Sequence, residues 1–256
     1  MAILGVASNT GSLNIVRNLS TIQRSLRKTQ DKLSSGFRIN SADDDPAGLV
    51  ISEQMRSQVA TVSQQISNLE NTINRNKTAD SAMMQLEDQL LEMREIAVSA
   101  TSTGNVDDAM RNAYEDALNS SVNTYNDIVE NESYGTQKLF DGSEGSVADL
   151  ETITQFDLSD SEQAEQAIAA IDEKLNEVTK AHGDLGANSA NDIEVMQRNL
   201  RNTQVNLTQS ESQIRDADMA AEKTREVSLM LRLQGGISLM AQGNLLSSSV
   251  LGLLNT

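Results

Sequence analysis

No cysteine occurs in the sequence, which excludes disulfides and thiolate metal sites and fits a chain exported unfolded. Tryptophan is also absent, and three Phe and three Tyr are too few large side chains to fill a wide globular core from 256 residues. A single proline, at position 46, leaves long stretches free of helix breakers. The one histidine, His182, cannot make H-E-x-x-H, which needs two, and no triad using His is expected. Residues 1–12 lack a basic segment followed by an apolar core, and no run approaches about 18 apolar residues, so neither a secretory signal nor a membrane span is expected.

Charge of one sign is scarce as well. Twenty bases stand against 37 acids, a net charge of −17, which repels nucleic acid and anionic membrane. Neither is expected as a partner. The imbalance is local: residues 1–40 hold six bases and one acid, Asp31, whereas 141–177 hold eleven acids and one base, Lys174. The ends and the middle of the chain face different surroundings.

What is present is helical spacing. Ile15, Leu19, Ile22, Leu26, Thr29 and Leu33 step by four and three, the rhythm that keeps one seam toward a partner helix. Gly36 is placed to close that helix through a left-handed turn. Asp45 and Pro46 form a start signal, a cap for free amides followed by a residue whose φ is already helical. The next seam runs Ile51, Met55, Val59, Val62, Ile66, Leu69, Ile73 and, after polar Asn76 and Asp80, Met83, Leu86, Leu90, Met93, Ala97 and Ala100. Thr103, Gly104 and Asn105 read as a turn, and Met110, Tyr114, Leu118, Val122, Tyr125 and Val129 as a third helix.

Residues 134–160 lose the period. Turn signals at Asp141, Gly142 and Gly145 give a hairpin-like region, with short strands expected around Val147, Leu150, Ile153 and Phe156. A fourth helix begins near Ser161 and carries Ala164, Ile168, Ile171, Leu175 and Val178. An interruption is expected at Gly183 to Gly186, after which Ile193, Met196, Leu200, Thr203, Leu207, Ser210 and Ile214 resume the seam. The last thirty residues are apolar around more of the helix than one seam requires, so something must cover them. The expected fold is all-α, an elongated antiparallel helical rod or coiled coil, with terminal helices that pair on assembly. Its divisions are 1–44, an assembly helix and linker; 45–210, the rod; and 211–256, a second assembly helix. Candidate self-assembly positions are Ile15, Leu19, Ile22, Leu26 and Leu33 at one end and Leu229, Leu233, Ile237, Met240, Leu246, Val250 and Leu253 at the other.

Asp43, Asp44 and Asp45 have no histidine or further acid near them in sequence, so a loop and a cap outweigh a metal or acid/base site. Methionines at 55, 83, 93 and 196 read as packing, and Gly235 and Gly236 lack the strand and helix around a phosphate loop. The N-x-S/T matches at Asn18, Asn76, Asn119, Asn131 and Asn206 fall mostly on helices, where composition explains them. No catalytic residue, metal or cofactor is expected, and the chain reads as a non-enzyme.

The segment L-S-S-G-F-R-I-N-S-A-D-D-D-P-A-G-L at 33–49 resembles the most distinctive block of the bacterial flagellins. In order come M-R-E-I-A-V at 93–98, Y-G-T-Q-K-L-F-D-G at 134–142, L-G-A at 185–187, I-R-D-A-D-M-A at 214–220 and the tail A-Q-G-N…V-L-G-L-L at 241–254. The resemblance implies a minimal form without the large variable region, the short stretch 143–160 standing in its place. It implies an extracellular subunit of the flagellar filament for swimming motility. It also implies self-association into a helical homopolymer, and dealings with the export apparatus, an export chaperone, the filament cap and hook-junction proteins. D-D-P at 44–46 instead of D-D-A also resembles hook-filament junction proteins, which are the alternative. Flagellins that alert a vertebrate toll-like receptor use the surface around 93–98. Here Glu92 stands where the family has arginine, Arg94 and Ile96 keep its pattern, and Ala117 replaces a glutamate, so weak receptor activation is expected.

Overall fold

The computed structural model describes residues 10–102 and 107–254, with side chains described for 11–102 and 107–245. The turn expected at Thr103, Gly104 and Asn105 lies outside the described residues. In chain order the elements are α1 (Thr10–Ser35), α2 (Pro46–Ala100), α3 (Asp108–Asn131), β1 (Ser133–Tyr134), β2 (Gln137–Lys138), α4 (Ser161–Asn188), a π-helical turn (Ser189–Ile193), α5 (Glu194–Arg215) and α6 (Met219–Leu254). Contacts group them into two units: a terminal unit of residues 1–61 and 204–256, and a middle unit of residues 62–203.

The middle unit is built on the buried half of the α2 seam. Met83, Leu86, Leu90, Met93, Ala97 and Ala100 are fully buried together with Leu118, Val122 and Tyr125 of α3 and Ala164, Ile171 and Val178 of α4. Antiparallel pairing of α2 and α4 follows from their cross-links: Ser161 Oγ donates to Thr101 O, Arg94 Nε to Asp172 Oδ1, and Asn76 Nδ2 to Ser189 Oγ. The two polar seam positions that interrupt α2 are thus matched by polar partners, Asn76 by Ser189 and Asp80 by His182. A polar pair inside an apolar seam fixes register, because sliding by a turn would leave both groups unpaired.

Aspartate side chains cap α3 and α4. Asp107 and Asp160 accept from the amides of Met110 and Gln163 at the starts of α3 and α4. The hairpin sits at 133–138, pairing Ser133 with Lys138 and Tyr134 with Gln137 around Gly135 at φ +67°. The strands expected at Val147, Leu150, Ile153 and Phe156 are absent. Those residues lie in non-regular chain that drops Leu150, Ile153 and Leu158 into the core.

A side-chain ladder takes the place of strand pairing. Asn126 of α3 accepts from Ile153 N–H and donates to Ile153 C=O, each at 2.8 Å. Asn119 does the same for Phe156 at 2.9 and 3.0 Å, and Glu115 accepts from Leu158 N–H at 3.1 Å. The spacing explains the match: seven helical residues rise about 10.5 Å, and three extended residues advance about 10 Å. Asparagine side chains on one helix face therefore act as a surrogate strand for a segment running the opposite way.

The interruption expected at Gly183 to Gly186 is also absent, since α4 continues through both glycines to Asn188. Both glycines are exposed, each costs only about 1 kcal/mol in a helix, and burial of Val178 and Leu185 on the opposite face outweighs that. The real irregularity is the π-helical turn at Ser189–Ile193, which adds a residue and shifts the phase of α5. Downstream, Ile193 at the end of that turn is continued by Gln197, Leu200, Gln204, Leu207, Glu211 and Ile214 of α5 as a buried to half-buried row. Met196 and Thr203, expected in the seam, point outward, Met196 being 53% exposed.

Candidate assembly surface

The linker between α1 and α2 packs as a knot within the terminal unit. Gly36 adopts φ +77°, a conformation that an L side chain rarely takes, and its N–H closes α1 on Lys32 O at 2.9 Å. The chain then crosses residues 215–217: Ala217 N–H donates to Gly36 O, Arg38 N–H to Arg215 O, and Phe37 bridges Asp216. The Arg215 guanidinium lies 4.4 Å from the Phe37 ring centre and 3.3 Å from Glu53, while Ile39 is buried beneath.

Two of the three aspartates, Asp44 and Asp45, hold the local backbone. Asp45 Oδ1 accepts from Gly48 N–H at 2.9 Å and caps α2, whose first residue is Pro46. A Cβ on Gly48 would sit 2.5 Å from Asp45 Oδ2 and 2.7 Å from Ile39 Cδ1, so any larger residue would displace the capping carboxylate or the isoleucine. Asp44 accepts from the amides of Asn40 and Ser41 and from the Ser41 hydroxyl, with Lys28 at 3.5 Å. Burial pushes its pKa up, but these hydrogen bonds and the lysine outweigh it and hold the carboxyl below the usual range. Among the described residues no group of acids and histidines is arranged to hold a metal.

Helices α1 and α6 lie antiparallel against one another, as the pairs Ser12 with Asn244, Gln30 with Glu226 and Lys32 with Glu222 require. The α1 face turned inward is Ile15, Leu19, Ile22, Leu26, Thr29 and Leu33, all buried or half-buried. On α6 the matching row is Glu222, Glu226, Leu229, Leu233, Gly236, Met240 and Gly243. Leu19 packs over Gly236, where a Cβ would come within 2.7 Å of its methyl carbon. Glu226 is a buried charge in this row. Its hydrogen bond to Lys223 at 2.6 Å, with a weaker one from Gln30, keeps its pKa below the ordinary value. Asp218 caps α6 by accepting from the amides of Ala220 and Ala221. The sequence carried that signal as an aspartate directly before a helical run.

Pairing covers one face only. Leu13 and Val16 on α1, and Val227, Met230, Leu231, Ile237, Leu239 and Leu245 on α6, remain exposed, Leu231 at 65% and Leu245 at 68%. Ile237 belongs to this outer face and not to the face against α1. Leu246, Val250 and Leu253 fall on the described backbone of α6, but their side chains lie outside the described residues. A single a/d template finds only the row that faces the partner. The outer row emerges once that partner is subtracted.

On the middle unit Glu92, Arg94 and Ile96 share little more than one turn of α2, and Ala117 is exposed on α3. Arg94 pairs with Asp172 at 2.7 Å, Glu92 is exposed and accepts from Gln89, and Ile96 is half-buried against the core. Met84, Leu91 and Val98, spaced by seven, form an exposed apolar row beside them that the inner seam had masked.

Long paired helices and an apolar surface exposed at the paired ends are the features of a protein that assembles with other chains. Residues 6–145 match the bacterial flagellin N-terminal helical region, and residues 168–254 the bacterial flagellin C-terminal helical region. A flagellin of Halalkalibacterium halodurans is 34% identical, covering 96% of this chain and 98% of that one. The flagellar filament 33 kDa core protein of Treponema phagedenis and the flagellin of Bacillus subtilis are each 28% identical over 96% of this chain and 98% of theirs. The chain belongs to the bacterial flagellin family and is a structural subunit of the extracellular flagellar filament, which forms by self-polymerisation. Its short length fits the minimal form, and no observation favours the junction-protein alternative. No described helix is long and apolar enough to cross a membrane.

Proposed function

We propose that copies of this chain join through the outer faces of α1 and α6, with residues 1–44 and 211–256 as the assembling ends and 45–210 as the rod. The supporting observation is the outer face of α6, where Val227, Met230, Leu231, Ile237 and Leu239 stand exposed on a helix whose other face is already occupied. Covering each Leu-sized side chain contributes about 1.5–3 kcal/mol, so a few of them suffice to drive polymerisation. Leu246, Val250 and Leu253 extend the same apolar tail in sequence. Export apparatus, export chaperone, filament cap and hook-junction proteins are the further partners proposed, and the chain acts without catalysis or cofactor.

Removing residues 230–256 abolishes filament formation and leaves the middle unit folded. Electron microscopy of the repolymerised protein, together with circular dichroism of the truncated monomer, checks both halves. Filaments from the truncated chain refute the proposal. Val16→Asp is the matching test on the outer face of α1, where contact with a neighbouring copy would bury an unpaired charge.

A further inference from the structure

The polar interior of the α2–α4 seam contains one arrangement that neither packing nor polymerisation requires. His182 of α4 reaches α2 with both ring nitrogens: Nδ1 lies 3.1 Å from Glu87 Oε1 and Nε2 lies 3.0 Å from Asp80 Oδ1. Asp80 and Glu87 are seven residues apart, so their backbone positions stand on one face about 10.5 Å apart along the axis and their side chains converge on the ring from either side. The imidazole side chain is 24% exposed, and these two carboxylates are the charged groups that act on it. A neutral imidazole has one N–H and one lone pair, so it can satisfy only one of two carboxylates. The imidazolium donates to both.

We infer that His182 is a pH-sensitive latch of the middle unit: its doubly protonated ring clasps α4 to two carboxylates of α2, and loss of a proton to solvent releases one of them. Burial by itself disfavours the charged ring, but the hydrogen bonds and charges of Glu87 and Asp80 prevail and raise its pKa above 6.5. A raised folded-state pKa gives stabilisation that is complete below the unfolded value and disappears as pH climbs through the folded one. The latch therefore holds at acidic pH and opens as pH climbs through a folded-state midpoint above 6.5. In this segment the seam also carries Asn76 on Ser189 and the π-helical turn, so release falls where the helix pair is held by polar contacts.

The composition makes the test clean. With one histidine and no cysteine, His182 is the only side chain with an ordinary pKa between about 5 and 8, and its ring protons in the full-length monomer need no assignment. Proton NMR from pH 5.5 to 9 is expected to give a midpoint above 6.5. Asp80→Asn and Glu87→Gln should each move it down. Urea unfolding followed by circular dichroism is expected to show wild type weakening as pH rises through that midpoint, by at most tenfold in the folding constant per pH unit. His182→Arg, a permanent cation able to reach both carboxylates, should remove that step while any contribution of the chain terminus stays equal. A midpoint at or below 6.5, or parallel pH profiles for wild type and His182→Arg, overturns the inference.

Discussion

The two units differ in charge and in how far each completes itself. Residues 62–203 carry nine bases and 27 acids, whereas 1–61 with 204–256 carry eleven bases and ten acids. The acidic unit owns nearly all of the fully buried large side chains, from Met83 to Ile171. The near-neutral unit buries few residues, among them Leu19, Ile39 and Leu229, and leaves a row of leucines in water. A unit with a closed core tolerates heavy surface charge, which keeps it soluble. A unit meant to be finished by neighbours must avoid that charge, because like charges brought together by assembly would oppose it.

The contrast breaks first in the core. Leu86→Ala removes a fully buried side chain from the centre of the middle unit and is expected to cost about 2–5 kcal/mol in urea unfolding. A cost below about 1 kcal/mol would mean that this unit is no more closed than the other.

Next comes the strap over α3. Asn126→Ala strips both hydrogen bonds from the Ile153 backbone and is expected to lower stability by about 1–3 kcal/mol, with faster hydrogen exchange at 153–158. Unchanged exchange there would mean that apolar contacts alone hold the segment.

Leu231→Ser sharpens the other side of the comparison. At 65% exposure the change should leave monomer stability within about 0.5 kcal/mol, yet raise the critical concentration for polymerisation roughly tenfold. Equal polymerisation of the variant and the parent would remove this residue from the assembly surface.

The smallest effect concerns the middle unit's exposed surface. Glu92→Arg restores the charge that the family pattern carries and should raise toll-like receptor activation by purified monomer roughly tenfold in a reporter-cell assay, with no change in folding. Parent activity already equal to that of a flagellin with the full pattern would end that reading.

Periodicity alone placed α1, the buried half of α2, α3 and the beginning of α4, because a step of four and three over many turns has one structural meaning. Gly36, Asp45 and Pro46 marked the linker for local reasons, a left-handed turn, a side-chain cap and a preset φ, that hold whatever surrounds them. Tertiary structure decided the rest. Whether Met196 or Gln197 faces inward depends on the residue added by the π-helical turn, and whether Gly236 or Ile237 faces α1 depends on how closely Leu19 approaches. Adjacent residues on a helix are about 100° apart, so two interleaved apolar rows look alike until a partner selects one. Continuation through Gly183 and Gly186 was likewise settled by the neighbouring core, as was the use of Asn119 and Asn126 as a surrogate strand. Each turns on a contact between residues distant in the chain, to which local spacing carries no signal.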